Sequence, residues 1–382
     1  MSTPVTTAHS DENRGLFLCL VTVLLGFGVI MVQSASITSW PTDFEKIYLS
    51  RHLIFLSFGL VVALVCAGIP SRVWYQLAPW FWLATVALLV AVLVPGVGAR
   101  VNGAQRWLRF GSVSLQPSEL AKIAIPLYMC RLISANKQWL KHWWRGTLPL
   151  LLPIVVVIPL VLLQPDLGTS IFLLMGACVA LFVGGWPLRN FGIGMLMCIP
   201  AAWYLFAMKP YQLKRITGFL ETWHDWREAP YQLKQSLLAL GTGGLNGVGL
   251  GKGWQKLSFL PEANTDFVFA VVGEEWGLWG TFSLCALWMG LYLSGLNLFK
   301  KHTRDSFATL TGFVLLTQLV LQAALNIAVV TAMVPPKGIS LPLLSYGGSN
   351  LVVSLMMIGI VLSMSRQQNE ITNRSKTLCT TK

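Results

Sequence analysis

The chain has 382 residues, of which 54% are hydrophobic and only 11% charged, against about 25% charged in an ordinary soluble domain. Its formal charge of +13 comes from lysines and arginines scattered through connections between apolar runs. That pattern speaks against nucleic acid and for membrane orientation and anionic lipid. Cys19, Cys66, Cys130, Cys178, Cys198 and Cys285 lie inside apolar runs and Cys379 in the tail, so the cysteines read as small hydrophobes rather than a disulfide framework.

Residues 1–15 are polar and lack an apolar core, so they read as a tail with no cleaved signal peptide. A helix crossing hydrocarbon needs about 20 apolar residues. Ten segments qualify: 16–36, 53–70, 74–95, 119–134, 147–163, 168–186, 191–208, 267–298, 306–334 and 343–365. The fourth carries Lys122 and Arg131. The eighth is too long for one straight crossing and is expected to bend near Gly273 or Gly277. The expected fold is all-α, a polytopic membrane protein of about ten helices (16–366) with a C-terminal tail at 367–382. With both termini inside, the cytoplasm receives fourteen lysines and arginines from tails and short loops. The other side's short loops receive six, Lys46, Arg51, Arg100, Arg106, Arg109 and Lys337. The one large loop, 209–266, then faces outward.

Four unusual clusters share that outward side. In NGAQRWLRFGSVSLQPSELAK (102–122), Arg106, Trp107 and Arg109 precede Glu119 and Lys122. Ser118 reads as an N-cap, and Glu119 and Lys122, three apart, share a helical face and can pair. Two arginines around a tryptophan also suit a pyrophosphate or sugar. In QPDLGTS (164–170), Asp166 reads as a helix cap. The loop 209–266 supplies Lys214, Arg215 and a glycine-rich stretch, GTGGLNGVGLGKG. Lys252 there is followed by Gly253, which rules out a P-loop, and the glycines are expected to lay backbone against the membrane surface. VPPKGISLPLLSYGGSN (334–350) carries breaker residues, Lys337 and Ser345.

Four acids, Glu262, Asp266, Glu274 and Glu275, sit where FLPEANTDFVFAVVGEEWGLWG enters the eighth run. A charge at mid-bilayer costs roughly 2.5–3.5 kcal/mol on insertion scales, so these acids need partners or a task. Glu274 and Glu275 are expected to pair with groups from other spans, such as Lys122. In the ninth run Gln318, Gln322 and Asn326 recur every fourth residue, which reads as an interior polar seam. No nucleophile–histidine pair and no zinc spacing occurs, so chemistry here must rest on carboxylates and cations.

These stretches resemble the SEDS family (shape, elongation, division and sporulation: FtsW, RodA and SpoVE) of bacterial membrane glycosyltransferases. The match runs through GAQRWLRFGSVSLQPSELAK, QPDLGTS, YQLKQSLLALGTGGLNGVGLGKGWQKLSFLPEANTDFVFAVVGEE and PPKGISLPLLSYGGSN. The resemblance implies ten helices in the bacterial cytoplasmic membrane and lipid II as substrate, polymerised on the outer face into β-1,4-linked glycan with inversion. It assigns the catalytic aspartate to Asp266, in Thr265-Asp266-Phe267. Substrate contacts are expected at Arg106, Trp107, Glu119, Lys122, Arg215, Glu262, Lys337 and Ser345, while the pairing roles of Asp166, Glu274 and Glu275 come from the residues' own placement. A class B penicillin-binding protein and other divisome proteins are the implied partners. A divalent cation, magnesium or manganese, is expected at the acids or the pyrophosphate. Pro261-Glu262-Ala263 and Lys337-Gly338 favour the division (FtsW) branch over elongation. Asn264, Pro336 and Trp276 stand where the family usually has histidine, threonine and leucine. A lipid II transporter, which would need polar groups lining a path through the membrane, and a non-catalytic scaffold are the competing readings.

Overall fold

The computed structural model describes residues 5–36, 44–101, 104–111, 113–141, 147–196, 217–223, 225, 227, 229–257, 259–299 and 306–380. Its elements are α1 (Val5–Ser36), α2 (Phe44–Gly68), α3 (Ser71–Leu93), β1 (Gly98–Val101), β2 (Ala104–Phe110), β3 (Val113–Leu115), α4 (Pro117–Ala135), α5 (Leu148–Leu163), α6 (Leu167–Val183), α7 (Tyr231–Gly243), α8 (Val268–Asn297), α9 (Ser306–Val330) and α10 (Gly348–Thr380). Among the described residues, five helical stretches are long and apolar enough to cross a membrane: Glu12–Ser36, Tyr48–Gly68, Ser71–Leu93, Ser306–Val330 and Gly348–Arg366. The apolar helices α5 and α6 are shorter. Most of the expected seventh span, and Arg215, lie outside the described residues.

Side-chain exposure sorts the helices. Those at the periphery point Leu64 (74% exposed) and Trp80 (68%) outward, an arrangement stable only where the surrounding solvent is itself apolar. Helix α4 is buried nearly all round and packs against α3, α5, α6 and α9. This central place explains how a helix containing Glu119 and Lys122 survives: its polar groups meet protein, not lipid.

The all-α expectation needs correction. Residues 98–115 form a three-stranded antiparallel sheet in the order β1-β2-β3, with Ala99 opposite Trp107 and Arg109 opposite Ser114. Alternation along β2 turns Ala104 and Leu108 inward and leaves Arg109 exposed, as a half-buried sheet demands. Arginines and glycines hid this period-2 pattern within an apparently irregular loop.

The expected bend in the eighth run is a break. Gly277 has φ 65° and ψ −157°, a backbone open to glycine almost alone. It divides α8 into a short half, 268–276, and a longer half, 278–297. From Val268 to Glu275 the short half is entirely buried, whereas the longer half exposes Leu278, Trp279, Phe282, Met289 and Leu293. The short half is thus an interior element, and only the longer half presents a lipid-like face.

The glycine-rich stretch lies along this break. Val248 and Gly249 N–H groups donate to the Glu274 and Glu275 carbonyls at 3.0 Å, and Leu278 N–H donates to Gly244 O at 2.9 Å. A Cβ on Gly247 would collide with the Glu275 carbonyl, and its φ of +75° is left-handed. Gly247→Ala should therefore destabilise the protein by about 2 kcal/mol, the middle of the range for such strain. The measurement is a lowered Tm of the purified protein in detergent; an unchanged Tm would show that the close approach is not needed.

Candidate active site

Asp266 sits in the turn that delivers the chain into the short half of α8. Thr265 and Phe267 N–H groups both donate to Glu262 O, at 3.1 and 3.2 Å. The Asn326 side-chain amide then fixes the aspartate's backbone. Its Nδ2 donates to Asp266 O and to Ile339 O, each at 2.7 Å. One buried amide thus joins the 261–267 turn to the 331–347 connection. The tie between these segments is reinforced by Tyr346 N–H, which donates to Asn264 O at 2.8 Å.

Among the described residues, the Asp266 carboxylate accepts no hydrogen bond and enters no ion pair. Gly338 lies beside it: a Cβ there would stand 3.2 Å from Oδ2. Burial, followed by the negative fields of Glu262, Asp166 and Glu119, lifts its pKa from 3.8 to about 7, with Lys122 pulling the other way. At neutral pH the free protein therefore holds this carboxyl partly protonated. Lys337, half-buried, likewise has no side-chain partner among the described residues, and burial lowers its pKa. A Cβ on Gly168 would lie 3.6 Å from Lys337 Cβ and 3.9 Å from Asp166 Oδ1, so Gly168 keeps these two segments in close approach.

The buried acids are all answered. Glu119 pairs with Lys122 at 2.7 Å, and Lys122 also donates to Gln322 Oε1 at 3.2 Å and stands over the Phe172 ring. Gln322 Nε2 passes the network on to Ser340 O and Asn350 Oδ1, at 2.9 and 3.0 Å. The polar seam of α9 is thus internal, as its spacing suggested, with Gln318, Gln322 and Asn326 all buried. Ser118 is not the N-cap: Gln116 precedes the helix, Pro117 opens it, and Ser118 Oγ accepts from Gln116 Nε2 at 3.0 Å. Proline at the first helical position needs no capping acceptor for its own nitrogen.

Asp166 caps α6 through Thr169 N–H at 3.1 Å and accepts from Thr169 Oγ1 at 2.9 Å. Arg106 on β2 reaches it at 3.8 Å and also donates to the Gln164 and Pro165 carbonyls. This arginine ties the sheet to the 164–166 turn, and its side chain remains 31% exposed. Trp107 is half-buried. Glu262 is exposed and accepts from Thr265 Oγ1 at 2.8 Å. Ser345, expected to meet substrate, is buried, and its hydroxyl accepts from Leu341 N–H at 2.8 Å; it closes its own loop.

Lys122 is not the partner of Glu274 and Glu275. Glu275 pairs with Lys256 at 2.6 Å and accepts from Ser34 Oγ at 2.7 Å. Glu274 accepts from Trp254 N–H at 2.7 Å and Gln255 N–H at 3.1 Å. Lys122 is already held by Glu119, one helical turn away. Sequence reading passed over Lys256 and Ser34; an acid pair at the end of a buried helix, with one lysine in the loop before it, was the available signal. The described residues contain no group of three or more histidine, cysteine or acidic side chains that could hold a divalent cation.

Among the described residues, this end of the bundle therefore holds an unpaired, proton-avid carboxylate at Asp266 and, on the 331–347 connection whose Gly338 adjoins it, a Lys337 without a side-chain partner, framed by charges that neutralise one another. The profile of the cell cycle protein family FTSW_RODA_SPOVE matches residues 14–370. Among curated relatives, the probable peptidoglycan glycosyltransferase FtsW of Geobacter sp. (strain M18) is 39% identical, covering 92% of this chain and 96% of its own. The protein of the same name from Coxiella burnetii is 36% identical, covering 94% and 97%. Among solved structures, a chain of a peptidoglycan synthase complex that coordinates polymerization and crosslinking superposes with a TM-score of 0.76 at 28% identity, over 92% of this chain and 97% of that one. Rod shape determining protein RodA of Thermus thermophilus gives 0.66 at 30% identity, over 92% and 96%. A profile spanning nearly the whole chain, with relatives this similar over their full length, means that the chain belongs to the FtsW/RodA/SpoVE family.

Proposed function

We propose that this protein is a peptidoglycan glycosyltransferase of the FtsW type that joins lipid II disaccharides into β-1,4 glycan, with Asp266 as general base. The observation that carries the assignment is the contrast between half-buried Asp266 and the buried acids. Glu119, Asp166, Glu274 and Glu275 each have a donor or counter-charge, and Asp266 has none among the described residues. A group left unpaired with a pKa near the working pH suits proton abstraction, where the best base titrates close to ambient pH.

In the reaction, the acceptor sugar's 4-hydroxyl oxygen attacks C1 of the muramic acid at the end of the polyprenyl-linked donor. Asp266 takes the hydroxyl proton as the new C1–O bond forms. The bond from C1 to the pyrophosphate oxygen breaks on the opposite side, inverting the centre, and the leaving undecaprenyl pyrophosphate carries away the electron pair. Lys337 is the cation best placed for the negative charge that develops, since no acid among the described residues already holds it. Arg106, with part of its guanidinium exposed, is the second, and Arg215, outside the described residues, is the third. Any divalent cation accompanies the pyrophosphate as part of the substrate.

The orientation that suits this chemistry places both termini in the cytoplasm and the sheet, Asp266 and the 209–266 loop outside. The loop belongs to a single membrane domain spanning 16–366. The septum is the site of action, and a class B penicillin-binding protein of the division machinery is the partner that crosslinks the product. The structural neighbour from a synthase complex supports that pairing.

Asp266→Asn should lower lipid II polymerisation by the purified protein with its cognate transpeptidase by about 10²–10⁴-fold. Wild-type polymer yield from this variant would remove the base assignment, and retained polymerisation with lost lipid II flipping would favour a transporter. The base acts deprotonated, so kcat/KM should fall about tenfold per pH unit below about 7 and level off above it. A rate that is flat between pH 5.5 and 8 contradicts this. Asp266 binds its proton more tightly folded than unfolded, so its contribution to stability is lost as pH rises from 3.8 towards 7. The same Asp266→Asn protein should consequently match or exceed the wild-type Tm at pH 8. Lys337→Met should reduce kcat by about 10²-fold, as loss of one charge-stabilising donor does, read in the same assay.

A further inference from the structure

We infer that Lys256 is a positioning residue for Asp266: with Glu275 and Ser34 it locks the base of the segment at whose apex the aspartate stands. The inference rests on Asp266 being the base proposed above. Lys256 Nζ lies 2.6 Å from Glu275 Oε1, with both side chains 0% exposed, and 2.9 Å from Ser34 Oγ. Ser34 Oγ in turn lies 2.7 Å from both oxygens of Glu275. Alongside, the Glu274 carboxylate holds the Trp254 and Gln255 N–H groups at 2.7 and 3.1 Å. Two adjacent glutamates thus grip three consecutive residues of the incoming chain.

The ion pair joins positions 19 apart, and Asp266 falls at the midpoint, ten residues beyond Lys256 and nine before Glu275. Both arms reaching it are held by contacts among their described residues. One is the short half of α8, buried from Val268 to Glu275. In the other, Leu257 N–H donates to Trp254 O at 3.0 Å and Leu260 N–H to Gln255 O at 2.7 Å, with Leu260 and Ala263 buried. Arms held this way place their apex only if their feet are fixed relative to each other. The feet meet at the Lys256–Glu275 pair, and Ser34 ties that pair to the end of α1.

Stability alone is a weak reason for such a pair. Replacing a fully buried ion pair by apolar side chains of similar volume is often neutral or stabilising, whereas removing one partner is damaging. Positioning is a stronger reason, because a displacement of about 1 Å at a reacting group can lower a rate about 10²-fold.

The test compares wild type, Lys256→Met/Glu275→Met, Ser34→Ala and Asp266→Asn, each full-length and assayed on lipid II with the cognate transpeptidase. The double variant should keep a Tm within a few degrees of wild type and nearly unchanged KM, while kcat falls about 10- to 100-fold. Its acid limb should move to lower pH, because a loosened Asp266 gains water while Glu262, Asp166, Glu119 and Lys122 still act on it. Ser34→Ala, with the ion pair intact, should show a smaller fall in kcat at unchanged Tm. A double variant with wild-type kcat and pH profile would overturn the inference. If the double variant fails to fold, Ser34→Ala decides: reduced kcat at unchanged Tm supports positioning, and wild-type kcat overturns it. An inactive Asp266→Asn beside a wild-type double variant removes only the positioning role. A fully active Asp266→Asn removes the base assignment and this inference with it.

Discussion

A charge taken out of water must be answered by an opposite charge or by hydrogen-bond donors, and this constraint organises the protein's interior. Glu119 is answered by Lys122, Glu275 by Lys256, Glu274 by two backbone N–H groups and Asp166 by a helix N-terminus with Arg106 nearby. Each answer also fastens one segment to another. The Lys122 network joins α4 to α9 and α10, the Glu274–Glu275 contacts join α8 to the preceding loop and to α1, and Arg106 joins the sheet to the 164–166 turn. The polar groups therefore serve as cross-links between helices that the hydrophobic effect cannot order, since lipid is as apolar as their packing faces.

Against that background Asp266 and Lys337 are exceptions, and the exceptions are where chemistry is expected. Asp266 is fixed through its backbone by Asn326 and its carboxylate is left unanswered by the described residues. Its position is determined while its reactivity is retained. Burial and neighbouring acids hold its proton affinity high, which makes the native state less stable at neutral pH than an amide would. Local strain or destabilisation of this kind is characteristic of functional sites, where surrounding structure maintains it.

The break at Gly277 is what makes this arrangement geometrically available. The break divides α8 into a first half buried from Val268 to Glu275 and a second half that exposes Leu278, Trp279 and Phe282. Both glutamates of that first half end against α1 and the loop. The glycines of 243–249 then approach its backbone closely enough to donate hydrogen bonds around the break. Four acids at the entrance of one apolar run thus separate into one exposed group, one unpaired group and two structural anchors.

Composition and the lengths of the apolar runs determined the membrane class, because burying that much hydrocarbon requires an apolar surround. Period-four spacing determined that Gln318, Gln322 and Asn326 share one face, and the short spacing of Glu119 and Lys122 allowed their pair to be foreseen, since helix geometry alone brings such residues together. The motif around Asp266 singled it out, through resemblance rather than through physics readable in the chain. Only tertiary structure decided that Lys256 answers Glu275, that Asn326 holds the aspartate's backbone, that Ser345 faces inward and that residues 98–115 pair as strands. The first two depend on contacts between positions 19 and 60 residues apart. The strands pair residues no more than ten apart and Ser345 bonds a residue four away, but neither stretch shows a readable helical or strand period in the sequence. The break at Gly277 rests on a φ that many glycines could have adopted. Local sequence carries the period of a helix, but which buried charge finds which partner is settled when the helices meet.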